Sequence, residues 1–177
     1  MRIFNRKTKR KLNSLHVRYS VFRYLLLIFP AIFIMGIPFQ AQGQGENFRD
    51  LTFGTFAPGA SGGEVIISPA GHRSANGTVV LLENTSYNSA SFGYRVGGKH
   101  KLRISLPLSA QLTREGGGGS MNITNFTSDW DDNRYETRPG SPQFYYVNVG
   151  ATLNVKGATG NPGGNYRGTF TVTFHQE

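Results

Sequence analysis

Beyond about residue 44, apolar positions recur at every second residue. Leu102, Ile104 and Leu106 alternate with Lys101, Arg103 and Ser105, the pattern of a strand with one buried and one wet face. Ala90, Phe92, Tyr94 and Val96 alternate in the same way with Ser91, Gly93 and Arg95. Val147, Val149, Ala151, Leu153 and Val155 do so against Asn148, Thr152 and Asn154. The clearest alternation sets Tyr166, Gly168, Phe170, Val172 and Phe174 against Arg167, Thr169, Thr171, Thr173 and His175, and it predicts one long strand over 166–174. Residues 78–83 (TVVLLE) form a continuous apolar run, which predicts a strand covered on both faces. Shorter strands are expected over 51–56, 64–68, 108–113 and 120–126.

The segments between these runs carry turn chemistry. Pro58-Gly59, Gly62-Gly63, Pro69-Ala70-Gly71, Asn76-Gly77, Gly97-Gly98, 116–119 (GGGG), Pro139-Gly140 and 161–164 (NPGG) supply positive or fixed φ where the chain reverses. No stretch beyond residue 43 has an apolar period of 3.6, and no internal repeat is visible. About eight or nine short strands separated by such turns predict an all-β fold, an antiparallel β-sandwich of immunoglobulin-like or pilin-like topology rather than a barrel.

The first 43 residues are built differently. Arg2, Arg6, Lys7, Lys9, Arg10, Lys11, Arg18 and Arg23 form a basic leader, and 24–39 (YLLLIFPAIFIMGIPF) is an uncharged apolar run. The run is shorter than the ~20 residues of a membrane-spanning helix, and Pro30 and Pro38 interrupt it. Ala41 and Gly43 place small side chains where a signal peptidase needs them, so 1–43 is expected to be a signal peptide. A single sandwich domain over 44–177 should then be exported to the periplasm, cell surface or medium, with no membrane span after cleavage. An uncleaved anchor is the alternative, and it translocates the same domain.

That boundary changes the meaning of the charge. Eight of the 19 Lys and Arg residues lie in the leader and none of the 10 Asp and Glu, which leaves 11 bases against 10 acids beyond it. The pI of 10.1 is therefore a property of the leader, and nucleic acid is not an expected partner. Lys99, Lys101 and Arg103 make a small basic stripe that reads as the wet face of one strand. The chain has no cysteine, which rules out disulfides, thiol catalysis and thiolate metal ligands.

Candidate chemistry is sparse. Residues 59–63 (GASGG) satisfy the G-x-S-x-G nucleophile pattern at Ser61, but a β pattern comes next where that motif needs a helix. Residues 116–120 lack the Lys-Ser/Thr ending of a phosphate loop. Asp129, Asp131 and Asn133 begin like a calcium loop, yet Arg134 stands at the required glycine and Gly140 at the bidentate Glu. A looser calcium site from Asp129, Asp131, Asp132 and Glu136 is weighed against a solvated acidic turn. His72, His100 and His175 lack the spacing of a zinc site. No cofactor and no enzymatic role are expected.

One constellation has the make-up of a recognition loop. Trp130, the only Trp, and Tyr135 sit among Asp129, Asp131 and Asp132, with Tyr145 and Tyr146 just beyond. Rings stack while carboxylates fix orientation, so these five loop residues form a candidate ligand-binding site for a glycan or a protein. Packing of the lone Trp into the core is the competing reading. The sequons at Asn76, Asn84, Asn122 and Asn125 read as Asn/Thr-rich strand ends and turns.

The block Leu51-Thr-Phe-Gly-Thr-Phe-Ala-Pro-Gly59, with Gly62-Gly63, Ser68-Pro-Ala-Gly71 and Arg73-Ser74, resembles the opening of a bacterial exported family known as domain of unknown function 4402. Val149-Gly-Ala-Thr-Leu153 and Gly164-Asn-Tyr-Arg-Gly-Thr-Phe-Thr-Val172 are similar to its closing strands. The likeness runs from about Leu51 to Phe174, and the segment 129–142 departs from it. It implies a secreted or surface β-sandwich similar in character to fimbrial subunits. The expectation is a non-enzymatic structural or adhesive surface protein whose partners are other surface or fimbrial subunits or a glycan. The alternative is a secreted carbohydrate- or protein-binding module acting through the Trp130 loop. Residues 44–50 (QGENFRD) are polar and read as too short to donate a strand to a neighbour.

Overall fold

The computed structural model describes residues 44–177, and the expected signal peptide lies outside them. Their strands are β1 (Gln44–Arg49), β2 (Phe56–Ala57), β3 (Gly63–Ile67), β4 (Arg73–Gly77), β5 (Val80–Leu81), β6 (Ala90–Val96) and β7 (Lys101–Ser105). They continue with β8 (Ser109–Arg114), β9 (Ser120–Ser128), β10 (Arg134–Glu136), β11 (Gln143–Val155), β12 (Tyr166–Arg167) and β13 (Thr173–Gln176). All the strand pairings are antiparallel. The fold is an all-β sandwich whose large sheet is curled. No helix among the described residues is long and apolar enough to cross a membrane.

β11 organises the large sheet, because its 13 residues are shared between two neighbours on one edge. Gln143–Val149 pair with β6, and Ala151–Val155 pair with β3. The opposite edge carries β9 from Val149 to Asn154, with the register slipping between Gly150 and Thr152. At this handover the strands crowd together. A Cβ on Gly150 would collide with the Ile67 carbonyl oxygen, so only glycine fits there. The sheet runs β1-β6-β11-β9-β8-β12, and β4 flanks β3.

Two smaller layers cover this sheet. The three-stranded β10-β7-β13 sheet closes one core, in which Leu102 and Ile104 join Tyr94, Val96, Tyr145, Val147 and Trp130. The β2–β5 pair lies over the other core, where Phe56 and Leu81 pack on Val65, Ile67, Met121, Ile123 and Leu153. The alternation read from the sequence therefore assigns the correct inward residues on β6, β7 and the second half of β11.

Three sequence expectations need correction. Residues 78–83 are not a strand covered on both faces: only Val80–Leu81 pair, and Val80 and Leu82 are exposed. This pair lies at the rim with the two-residue β2 as its partner, so one side of it meets solvent. The 51–56 stretch contributes only the start of β2 and a single bridge from Thr52 to Asn88. The predicted 166–174 strand is interrupted: Tyr166–Arg167 pair with β8 in the large sheet, and Thr173–Gln176 pair with β7 in the small one. Phe170 and Val172 still turn inward along the crossing, so side-chain alternation survives where the ladder does not. Gln44–Arg49, a segment where the sequence pattern predicts no strand, form β1 on the outer edge of β6 in the same chain.

Candidate functional site

The Asp129 loop begins where β9 stops accompanying β11, and its side chains take over the vacated edge. The Asp129 amide donates to the Asn148 carbonyl at 3.1 Å. Its carboxylate accepts from the Asn148 amide at 2.8 Å and from Asn148 Nδ2 at 2.7 Å. Trp130 Nε1 donates to the Tyr146 carbonyl at 2.8 Å, which satisfies the next outward group of β11. Together the two residues do by side chain what a continued strand would have done by main chain.

Trp130 is 6% exposed, so its ring lies within the core and is not open to stack on a ligand. It packs on Tyr135 at 5.3 Å between ring centroids and meets Phe174 edge-on at 6.0 Å. The core-packing reading describes this geometry. Tyr135 is partly exposed and rests on Tyr145, whose hydroxyl accepts from the Arg138 amide at 3.2 Å and from Gln143 Nε2 at 2.7 Å.

Asp131 and Asp132 lie in a short 3-10 turn, Asp131–Asn133, and are exposed. Asp132 pairs with Arg134 at 3.1 Å, and Asn133 is held by Ser128 Oγ at 2.8 Å. The turn carries positive φ at Asp132 and Asn133, residue types that tolerate the left-handed region. The loop thus brings Asp129 and Trp130 onto the β11 edge and leaves Asp131 and Asp132 at the surface. Among the described residues no three His, Cys, Asp or Glu side chains gather into a metal-binding group.

The remaining sequence candidates are dispersed. Ser61 lies in an exposed turn that feeds β3, and its amide donates to Thr78 Oγ1 at 3.2 Å. His72 lies in the turn before β4. His100 and His175 belong to the small-sheet region, with Gln176 Nε2 at 3.2 Å from His100 Nδ1 and Ser105 Oγ at 2.9 Å from His175 Nε2. No strand brings Ser61 to either of them.

Two features escaped the sequence reading. The first is an aromatic group on the outer face of the large sheet. Phe48 on β1 meets Phe144 at 5.4 Å and Tyr146 at 5.1 Å, both edge-on, above Gly93 of β6. A Cβ on Gly93 would come within 2.5 Å of Phe48 Cε2, so the absent side chain makes the seat for this ring. Phe48 and Tyr146 are each about half exposed. The period-2 pattern does place Phe144 and Tyr146 on the outward face, but their partner on β1 is almost a hundred residues away in sequence.

The second is Arg73, the first residue of β4. Its guanidinium donates to the Leu82 carbonyl and to Thr85 Oγ1, each at 3.2 Å, and to the Thr55 carbonyl at 2.5 Å. It also lies 5.3 Å from the centre of the Tyr87 ring. Burial lowers its pKa from the usual arginine value, partly offset by Tyr87. Arg73 therefore ties the 82–87 loop and the Thr55 region to β4.

The family described as Domain of unknown function (DUF4402) matches residues 44–175. No curated protein and no solved structure matches the chain.

Proposed function

The chain belongs to the family described as Domain of unknown function (DUF4402), and from that premise we propose that it is an exported, non-enzymatic structural or adhesive protein of the cell surface, a fimbria-like subunit. The observation that carries this reading is how the polar residues are used. The side chains of Asp129, Asn148, Arg49 and Arg73 each make two or three hydrogen bonds, and these hold strand edges and loops together. Their groups are spent on the fold rather than aimed into a cleft. The basic leader and the apolar run support export. Outer edges of β1, β4 and β13 that have no strand partner among the described residues support a role in assembly, since such edges are templates for pairing with another chain.

A second reading, a carbohydrate- or protein-binding module, rests on the Phe48, Phe144 and Tyr146 face and not on the Trp130 loop. Half-exposed rings grouped on one sheet face are the kind of surface that binding modules use. Fractionation and assembly separate the two. A tagged full chain should be recovered from the outer surface fraction, and sedimentation of purified material should show concentration-dependent association. Recovery in the cytosol, or a monomer at every concentration that binds a glycan saturably, would overturn the structural reading.

A further inference from the structure

We propose that the outer edge of β6 is a strand-acceptor site, and that it takes the β1 strand of a second copy of this chain as well as the chain's own. The inference deepens the structural role proposed above and rests on it.

β1 is bound to the domain in the way a peptide is bound to a sheet edge. Gly45–Asp50 are exposed, and β1 contributes no residue to either buried core. Its main chain pairs with β6 from Gln44 opposite Arg95 to Arg49 opposite Ser91. Main-chain bonds of this kind supply affinity, and sockets for particular side chains supply specificity.

Two such sockets are present, for Phe48 and Arg49, and both are built by the rest of the domain. Gly45 lies beside Phe174, where a Cβ would be in ordinary contact with the ring at 3.4 Å, so this position sets no size limit of its own. Phe48 sits over Gly93 against Phe144 and Tyr146. Arg49 donates through Nε to the Ser89 carbonyl at 2.8 Å, and its Nη2 reaches Ser89 Oγ at 3.1 Å and Asn148 Oδ1 at 3.4 Å. Phe48 reaches its socket because the register slips between Asn47 and Arg49, a bulge held by the Arg49 amide donating to Asn47 Oδ1 at 3.2 Å. The edge therefore reads an aromatic followed directly by an arginine.

The connection to the body leaves room for exchange. The first core residue after β1 is Phe53, and Thr52 is fixed by reciprocal bonds with Asn88 at 2.9 and 3.0 Å. Between them and β1 lie Asp50, held by Asn47 Nδ2 at 2.7 Å and by Asn88 Nδ2, and Leu51, partly buried against the Phe53 core, so that the strand pivots about Asp50. A six-residue strand pivoting there spans about 20 Å, enough to leave its own edge and reach a neighbour's. The exchanged form makes the same ladder and fills the same sockets. Local concentration thus sets the balance, because a strand on a short tether competes at an effective concentration on the order of millimolar. Among the described residues β4 and β13 also present open edges, but no segment of this chain is fitted to those edges, whereas β1 is fitted to β6 with side-chain sockets.

The test uses the absence of native cysteine. Two full-length variants, Gln44→Cys and Arg95→Cys, are mixed at about 1 mM and oxidised, a concentration comparable to that of the tether. Neither variant can form this cross-link within one chain. Exchange predicts a mixed disulfide dimer about tenfold more abundant than either same-variant dimer, a ratio that falls towards the random one when Phe48→Ala is added to the Gln44→Cys chain. Circular dichroism of the Phe48→Ala chain should match the parent, and excess synthetic QGENFRD peptide should suppress the mixed dimer in the parent pair. A mixed dimer at the frequency of random collision overturns the strand-acceptor site. If sedimentation of the wild-type chain still shows association, only this inference falls, whereas no association by either measurement removes the proposed structural role with it.

Discussion

Trp130 Nε1 lies 2.8 Å from the carbonyl oxygen of Tyr146, and this bond takes over the edge of β11 where β9 departs. The ring that could have marked a binding loop instead seals a sheet against the small β10-β7-β13 layer. Trp130→Phe keeps most of the packing and leaves the Tyr146 carbonyl short of a partner, which should cost about 1–3 kcal/mol in urea unfolding. Trp130→Ala should cost about 3–5 kcal/mol by the same measurement, because a cavity is added. Free quenching of the native tryptophan fluorescence by acrylamide would contradict this placement.

Asp129 supplies the other half of the edge cap. Both its carboxylate oxygens accept from Asn148, so Asp129→Ala should destabilise the domain by about 1–3 kcal/mol. Hydrogen exchange at the Asn148 amide should speed up in that variant, with little change at residues in β3. Calcium should not raise the melting temperature of the wild-type chain, since the loop carboxylates do not converge: Asp129 is turned onto Asn148 and Asp132 onto Arg134. A calcium-dependent rise would show that the loop can rearrange around the ion.

Arg73 ties loop segments that lie far from one another in sequence. Arg73→Lys retains the charge but cannot span the Thr55 and Leu82 carbonyls and the Thr85 hydroxyl with one planar fork. An expected loss of about 1–3 kcal/mol should appear in denaturant unfolding. Faster proteolysis within 82–87 should accompany it, because the loop loses its anchor. Unchanged cleavage there would mean that the guanidinium bonds do not restrain the loop.

Two valines separate apparent from actual burial. Val80 belongs to the most apolar run of the domain yet is 59% exposed, so Val80→Ser should change stability by no more than about 0.5 kcal/mol. Val172 lies in the interrupted stretch but packs on the core that contains Leu102 and Trp130. Val172→Asp should cost about 1–3 kcal/mol or more, as a carboxylate replaces an apolar contact. Equal effects at the two sites in thermal unfolding would refute this assignment of the faces.

Side-chain alternation is a local property, and the features that depend on it alone were determined by the sequence itself. They are the all-β character of the chain and the inward faces of β6, β7 and the later half of β11, whereas Asn76-Gly77, expected as a turn, is the end of β4 paired with Glu64 and Gly63. The resemblance carried by its opening and closing blocks identified the family. Ladder pairing and two-sided cover are not local, because they depend on which distant segment arrives at an edge or a face. Only the tertiary structure therefore decided that polar Gln44–Arg49 pair with β6, that 78–83 lie at a rim, and that 166–174 cross between sheets. It alone placed Trp130 inside and Phe48 outside. A ring's composition and spacing are the same in a loop that binds and in one that packs, and the difference is made by the carbonyl of Tyr146 on another strand.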